Sequence, residues 1–171
     1  MDPQDEIERR VREDIERFGW HVALVPGEGE TPGWAWTLGL FERFAHPELA
    51  IFGMPLEEMH RVLNLLGLRV KRGLRLADGA RIAGIFEAYA LALRQVDVRW
   101  VDPFFGNVAW HYRRADVPLL QVLWPDARGR FPWEPDFDPA WRREQPLLFE
   151  SAAARALPSP LARQLRAEGA L

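Results

Sequence analysis

The stretch Trp34 to Leu40, WAWTLGL, alternates large and small side chains. In an extended chain successive side chains point to opposite faces. Trp34, Trp36, Leu38 and Leu40 therefore share one face, and Ala35, Thr37 and Gly39 share the other. The face of small residues requires a close neighbour: a helix packed directly against the strand or, less commonly, a ligand lying across it.

Other strands are legible on either side. Trp20 to Val25 points His21, Ala23 and Val25 one way and Trp20, Val22 and Leu24 the other. The polar run GEGETPG then joins it to Trp34 as a long hairpin loop, or as a flap able to close over a ligand. Leu49 to Phe52 is short and apolar. Asp78-Gly79, set between Leu74, Leu76 and Ala80, Ile82, is a hairpin signal. Leu91 to Trp100 and Pro118 to Trp124 complete the strands, and IFEAYA, between the hairpin and Leu91, is read as strand.

Helices follow from a different period. Ile7, Val11, Ile15 and Phe18 form the stripe of a helix over 3–18, with Asp2 or Asp5 as its cap and Gly19 as its end. A second helix runs from Pro55 to Gly67 on Leu56, Met59, Leu63 and Leu66, with His60, Arg61 and Asn64 outward. Asp102 to Arg114 begins with an Asp-Pro start signal and continues at helical spacing. FERFAHPE reads as a connection, and Arg69, Lys71, Arg72 and Arg75 as a solvated strand edge. These elements predict an α+β fold: a curved, largely antiparallel sheet of five to seven strands with packed helices, mixed and barrel-like variants left open. The expected organisation is one domain over 1–150 and a tail or short helix over 151–171.

Composition removes whole classes of function. No cysteine occurs among the 171 residues, which excludes disulfides, thiolate nucleophiles and cysteine-containing metal sites and makes a cytoplasmic setting the default. A formal charge of −3 offers nothing to attract nucleic acid. No run approaches the ~18 apolar residues of a membrane-spanning helix, and the acidic start MDPQDEIERR is unlike a signal peptide. Eight tryptophans stand against two tyrosines. Some of them fill a core, and others are expected to line a cleft or contact surface.

Set in order, GWHVALVP, WAWTLGL, FAHPELAIFG and QVLWPDARGRFPWEP resemble the bacterial domain of unknown function 4262 family. The resemblance covers roughly Gly19 to Pro146. Leu38 stands where the family has isoleucine, and Ala45 where it has glycine. The resemblance implies an intact α+β domain and brings no catalytic residues with it.

Candidate chemistry therefore rests on residue types. His46, with Glu48 two residues on, is the leading polar candidate, and His111 and Asp126 join it as catalytic candidates, with Asp102 and Glu134 as further carboxylates. General acid–base work needs only a histidine and a carboxylate in one cleft. The two serines, Ser151 and Ser159, sit in the tail outside any nucleophile-elbow pattern. No HxxxH or HExxH spacing occurs, so no metal site is assigned, and no cofactor is expected by default. Trp34, Trp36, Thr37, His46, Arg130, Trp133 and Glu134 are the candidates for contact with a ligand or partner. Phe131 and Trp133, two apart, are expected on one side of a strap, with Arg130 and Glu134 paired across its loop. The leading functional expectation is a non-catalytic binding or interaction module with a Trp-lined surface or cleft, recognising a small molecule or a protein. The alternative is an enzyme or cofactor protein built on a histidine–carboxylate pocket.

Overall fold

The computed structural model describes residues 2–149 together with 166, 167 and 169. The region expected as a tail lies almost wholly outside the described residues. Among the described residues six strands form one open, mixed sheet: β1 (His21–Val25), β2 (Trp34–Leu38), β3 (Glu48–Phe52), β4 (Arg81–Ile82), β5 (Leu91–Gln95) and β6 (Leu119–Leu123). Their spatial order is β1-β2-β3-β6-β5-β4. All neighbours are antiparallel except β3 and β6, which run parallel from Glu48 opposite Leu119 to Ile51 opposite Val122. This sheet is the α+β architecture that the periodicities predict.

Among the described residues four helices cover it: α1 (Pro3–Phe18), α2 (Leu40–Phe44), α3 (Leu56–Lys71) and α4 (Val101–Tyr112). Asp2 caps α1 by accepting from the Gln4 amide at 3.0 Å. Gly19, at φ 105°, closes it in the left-handed conformation open to glycine. One face of the sheet, with Trp34, Trp36, Leu38 and Phe52, packs on Val11 and Ile15 of α1 and on Phe104, Phe105 and Val108 of α4. The other face, with Ala35, Leu49, Ile51 and Val122, packs on Met59, Val62, Leu63 and Leu66 of α3. The small side chains of β2 thus meet a helix, the first of the two expected solutions. Each large apolar side chain so enclosed contributes ~1.5–3 kcal/mol, against ~0–1 kcal/mol for an exposed ion pair such as Arg9–Glu13. Packing on the two faces therefore decides the fold.

Several local readings change. The start of FERFAHPE belongs to the five-residue helix α2, which begins one residue earlier at Leu40 and whose first turn is held by a buried carboxylate described below. Gly67 lies inside α3 rather than at its end, because the helix continues to Lys71. The basic cluster is accordingly the last turn of α3 and the loop after it. Arg75 donates to the Phe44 carbonyl at 2.6 Å. IFEAYA forms bends instead of a strand, and Val98–Trp100 leaves the strand for a 3-10 turn capped by Asp97. Tertiary packing of Ile85 and Trp100 fixes both segments without ladder pairing.

Candidate functional site

Two carboxylates organise the end of the molecule nearest β1 and β2. The first is Glu48, at the start of β3 and with no exposed surface. Its oxygens accept from Thr37 Oγ1 at 2.6 Å and Tyr112 Oη at 2.6 Å. They also accept from the amides of Gly39, Leu40 and Phe41 at 2.8, 3.3 and 3.2 Å. Both hydroxyls already accept a backbone amide themselves, from Leu49 and Gly39, so their hydrogens point at Glu48. Burial pushes the Glu48 carboxyl above its ordinary value, and the donors oppose that shift by favouring the charged form. Burial and then the Glu48 charge push the Tyr112 hydroxyl upward. The group is closed at the carboxylate: both Glu48 oxygens are occupied and, like Thr37, Glu48 has no exposed surface, while Tyr112 is half-buried. Its effect is structural, tying β2, α2, β3 and α4 together at one point.

The residues singled out in the sequence fall mostly into such closed positions. Thr37 is one arm of the Glu48 knot. His46 is buried, its Nδ1 hydrogen donated to the Pro47 carbonyl at 2.8 Å and its Nε2 accepting the Leu76 amide at 2.9 Å. Burial lowers its pKa, which matches a neutral ring with both nitrogens occupied. A histidine so bonded anchors a loop and has no lone pair left for proton transfer. Trp34 and Trp36 lie in the core and donate to the Phe104 carbonyl and to Asn107 Oδ1. They are packing residues of the α4 face, without the exposure a docking surface requires.

The C-terminal motif is a strap across the sheet end. Asp126 accepts from the amides of Arg128, Arg130 and Asp138 at 2.9, 3.0 and 3.0 Å. Burial acts to raise its pKa, but these amides outweigh it and leave the carboxyl low. Glu134 accepts from the Phe131 amide at 2.6 Å, and Arg130 pairs with Asp136 in place of Glu134. Phe131 and Trp133 do share a side, stacked 5.0 Å apart. Asp126 and Glu134 thus close turns of the strap. His111 stands elsewhere, 2.6 Å from Glu42 Oε1 in a groove with Trp110 and Arg12. The structure brings His111 to a carboxylate and does not bring His46 to one.

The second organising carboxylate is Asp14. It opens onto a cleft of about 580 Å³ between the last turns of α1, the start of β1 and the outer face of α3. His21 Nδ1 lies 2.6 Å from Asp14 Oδ2, and the two side chains are 15% and 34% exposed. With Nδ1–H on the carboxylate, Nε2 is the free basic nitrogen of the neutral ring. Trp20 forms a wall and donates Nε1–H to Asn64 Oδ1 at 2.9 Å. The Asn64 amide nitrogen in turn lies 3.2 Å from His60 Nδ1. Arg17, Phe18, Leu68 and Lys71 complete the lining.

Glycines build this wall. A Cβ on Gly67 would stand 2.7 Å from the Trp20 ring, so only a bare helix backbone lets the indole lie against α3. Gly39, at φ 118°, would place a Cβ 2.7 Å from the Gly19 carbonyl and 2.9 Å from Trp20 Cα. Trp20 is thereby clamped from two sides. Sequence reasoning missed the site because its parts come from three separate elements: His21 reads as one face of a strand, and His60 and Asn64 as the wet face of a helix. The one local signal was Gly19-Trp20 at the end of α1.

The sequence model of the domain of unknown function 4262 family matches residues 14–138. The chain belongs to that family. In this member of the 4262 family the match begins at Asp14, takes in the Trp20–His21 wall, the Glu48 knot and α3, and ends at Asp138, the residue whose amide closes the Asp126 turn. No curated protein and no solved structure matches the chain. No helix among the described residues is long and apolar enough to cross a membrane.

Proposed function

We propose that this domain binds a small molecule in the cleft between α1 and α3, against the Trp20 wall. The observation that carries this reading is the Asp14–His21 pair, 2.6 Å apart and open to that cleft. The buried polar residues Glu48, His46 and Asp126 are enclosed in closed networks, whereas His21 lines the same cleft as Trp20 and its second ring nitrogen has no hydrogen-bond partner among the described residues. Ligand sites combine such an apolar wall with a few oriented polar groups. Under this reading the aromatic wall is Trp20, a residue not among the sequence candidates Trp34, Trp36 and Trp133.

The test is a metabolite-library thermal-shift screen on the wild-type chain and on Leu68→Trp, which fills the cleft from a partly exposed position. Ligands that raise the unfolding temperature of the wild type and not of the variant support the reading. Equal shifts in both proteins, or none in either, count against it.

The same pair favours a second reading, acid–base catalysis on the bound molecule. A carboxylate that orients an imidazole and stabilises its protonated form is a common preparation for a general base. Under this reading His21→Gln abolishes turnover of any compound found in the screen, in addition to weakening its binding. Under the binding-only reading no turnover exists to lose.

A further inference from the structure

We infer that the ligand of the α1–α3 cleft is a small anion: an apolar ring bearing a carboxylate or a phosphate. This rests on the proposal that the cleft is a ligand site, and adds the chemistry of what enters it. The charges of the lining are unbalanced. Asp14 is the single carboxylate there, and His21 already engages it. Arg17 and Lys71 are both cationic, and neither has a carboxylate partner among the described residues.

The geometry also separates the two halves of such a ligand. Lys71 Nζ donates to the Phe18 carbonyl at 3.3 Å, and the Arg17 guanidinium lies over the Phe18 ring at 5.1 Å. Both cations are therefore gathered at the end of α1, with donors to spare: an ammonium has three and a guanidinium five. Trp20, Val22 and Leu68 supply apolar surface in the same cleft, and Phe18 is 48% exposed beside the cations. A ring against the tryptophan, with its oxyanion toward Arg17 and Lys71, satisfies both halves at once. A neutral ring leaves the cations unpaired, and a dication meets two like charges.

The bland account of the same cations is that they complement the carbonyl end of α1. Titration separates the two. With the full chain labelled with nitrogen-15, the Trp20 indole N–H, assigned by through-bond correlation, reports on the cleft from its bond to Asn64. Phenyl phosphate, phenylacetate and neutral benzyl alcohol are the probes.

The expected result is saturable movement of the Trp20 signal by at least one of the anions, at concentrations about tenfold or more below those benzyl alcohol requires. Which of the two anions binds more tightly then identifies phosphate or carboxylate as the preferred head group. The double variant Arg17→Gln/Lys71→Gln, changed only at exposed positions, should weaken that anion about tenfold and leave benzyl alcohol unaltered. If benzyl alcohol binds as well as the anions, or the double variant changes only the unfolding temperature, the anion assignment is overturned while the cleft remains a ligand site. If no probe moves the Trp20 signal, the anion assignment and the ligand-site reading fall together.

Discussion

Glu48 and Asp14 lie near the same end of the sheet and differ in burial, in partners and in what they face. Glu48 is enclosed, accepts hydrogen bonds from two hydroxyls and three amides, and reaches nothing beyond them. Asp14 is one-third exposed and spends its bond on a histidine whose other nitrogen is free. The sequence draws attention to the first, through His46-Pro47-Glu48, and passes over the second. A polar residue in a memorable motif is as often there to hold a turn as to act on a ligand.

The largest effect that sharpens this contrast is expected from Glu48→Gln. The substituted amide presents hydrogens to a nest made of donors, leaving buried groups unpaired, and the loss should be about 3 kcal/mol or more. Urea unfolding measures it, and a loss below about 1 kcal/mol contradicts the knot's role. Next is Gly67→Ala. Its Cβ would stand 2.7 Å from the Trp20 ring, and forcing the indole away should cost about 1–3 kcal/mol. The same change should displace the Trp20 indole signal and weaken ligand binding.

His46 gives a smaller effect with a definite sign. Burial holds its pKa below the ordinary histidine value, so the unfolded chain takes up a proton that the folded chain resists. Its contribution is full above the ordinary value and is lost as pH falls through the folded value. Glu48, with its pKa raised, contributes in the opposite sense: it favours the fold at low pH and loses that contribution as pH rises through its folded value. Comparing wild type with His46→Gln isolates the histidine. Between pH 7.5 and 5.5 the variant, although less stable overall, should lose less of its stability than the wild type does. An equal or steeper loss in the variant contradicts the buried neutral ring. The smallest change is expected from Asp14→Asn, within about 1 kcal/mol because its pair with His21 is partly exposed. A loss comparable to that of Glu48→Gln would erase the contrast between the two carboxylates.

How much of this was legible in the sequence depends on where each signal resides. The strand β2 follows from its alternation of large and small side chains, β1, β3 and β6 from their short apolar runs, and the stripes of α1 and α3 from helical period, since each of these signals lies within a single segment. The parallel pairing of β3 with β6 has no local mark. Nor does α2, whose first-turn amides are satisfied by Glu48 from the next strand instead of by a side-chain cap of their own. Gly67 reads as a helix end, since a glycine's local meaning is termination; its reason, the Trp20 ring, is 47 positions away in the chain. Asp14, His21 and Asn64 escaped for the same cause. Each is unremarkable on its own element, and only the third dimension makes them neighbours.

The most direct test of the division between a structural carboxylate and a working one is ligand-induced stabilisation of His21→Gln. The account predicts a variant that unfolds within about 1 kcal/mol of the wild type and loses most of the stabilisation given by the ligands found in the screen. A variant that unfolds as readily as Glu48→Gln, yet is stabilised by those ligands as fully as the wild type, would place His21 among the structural residues and move the site elsewhere.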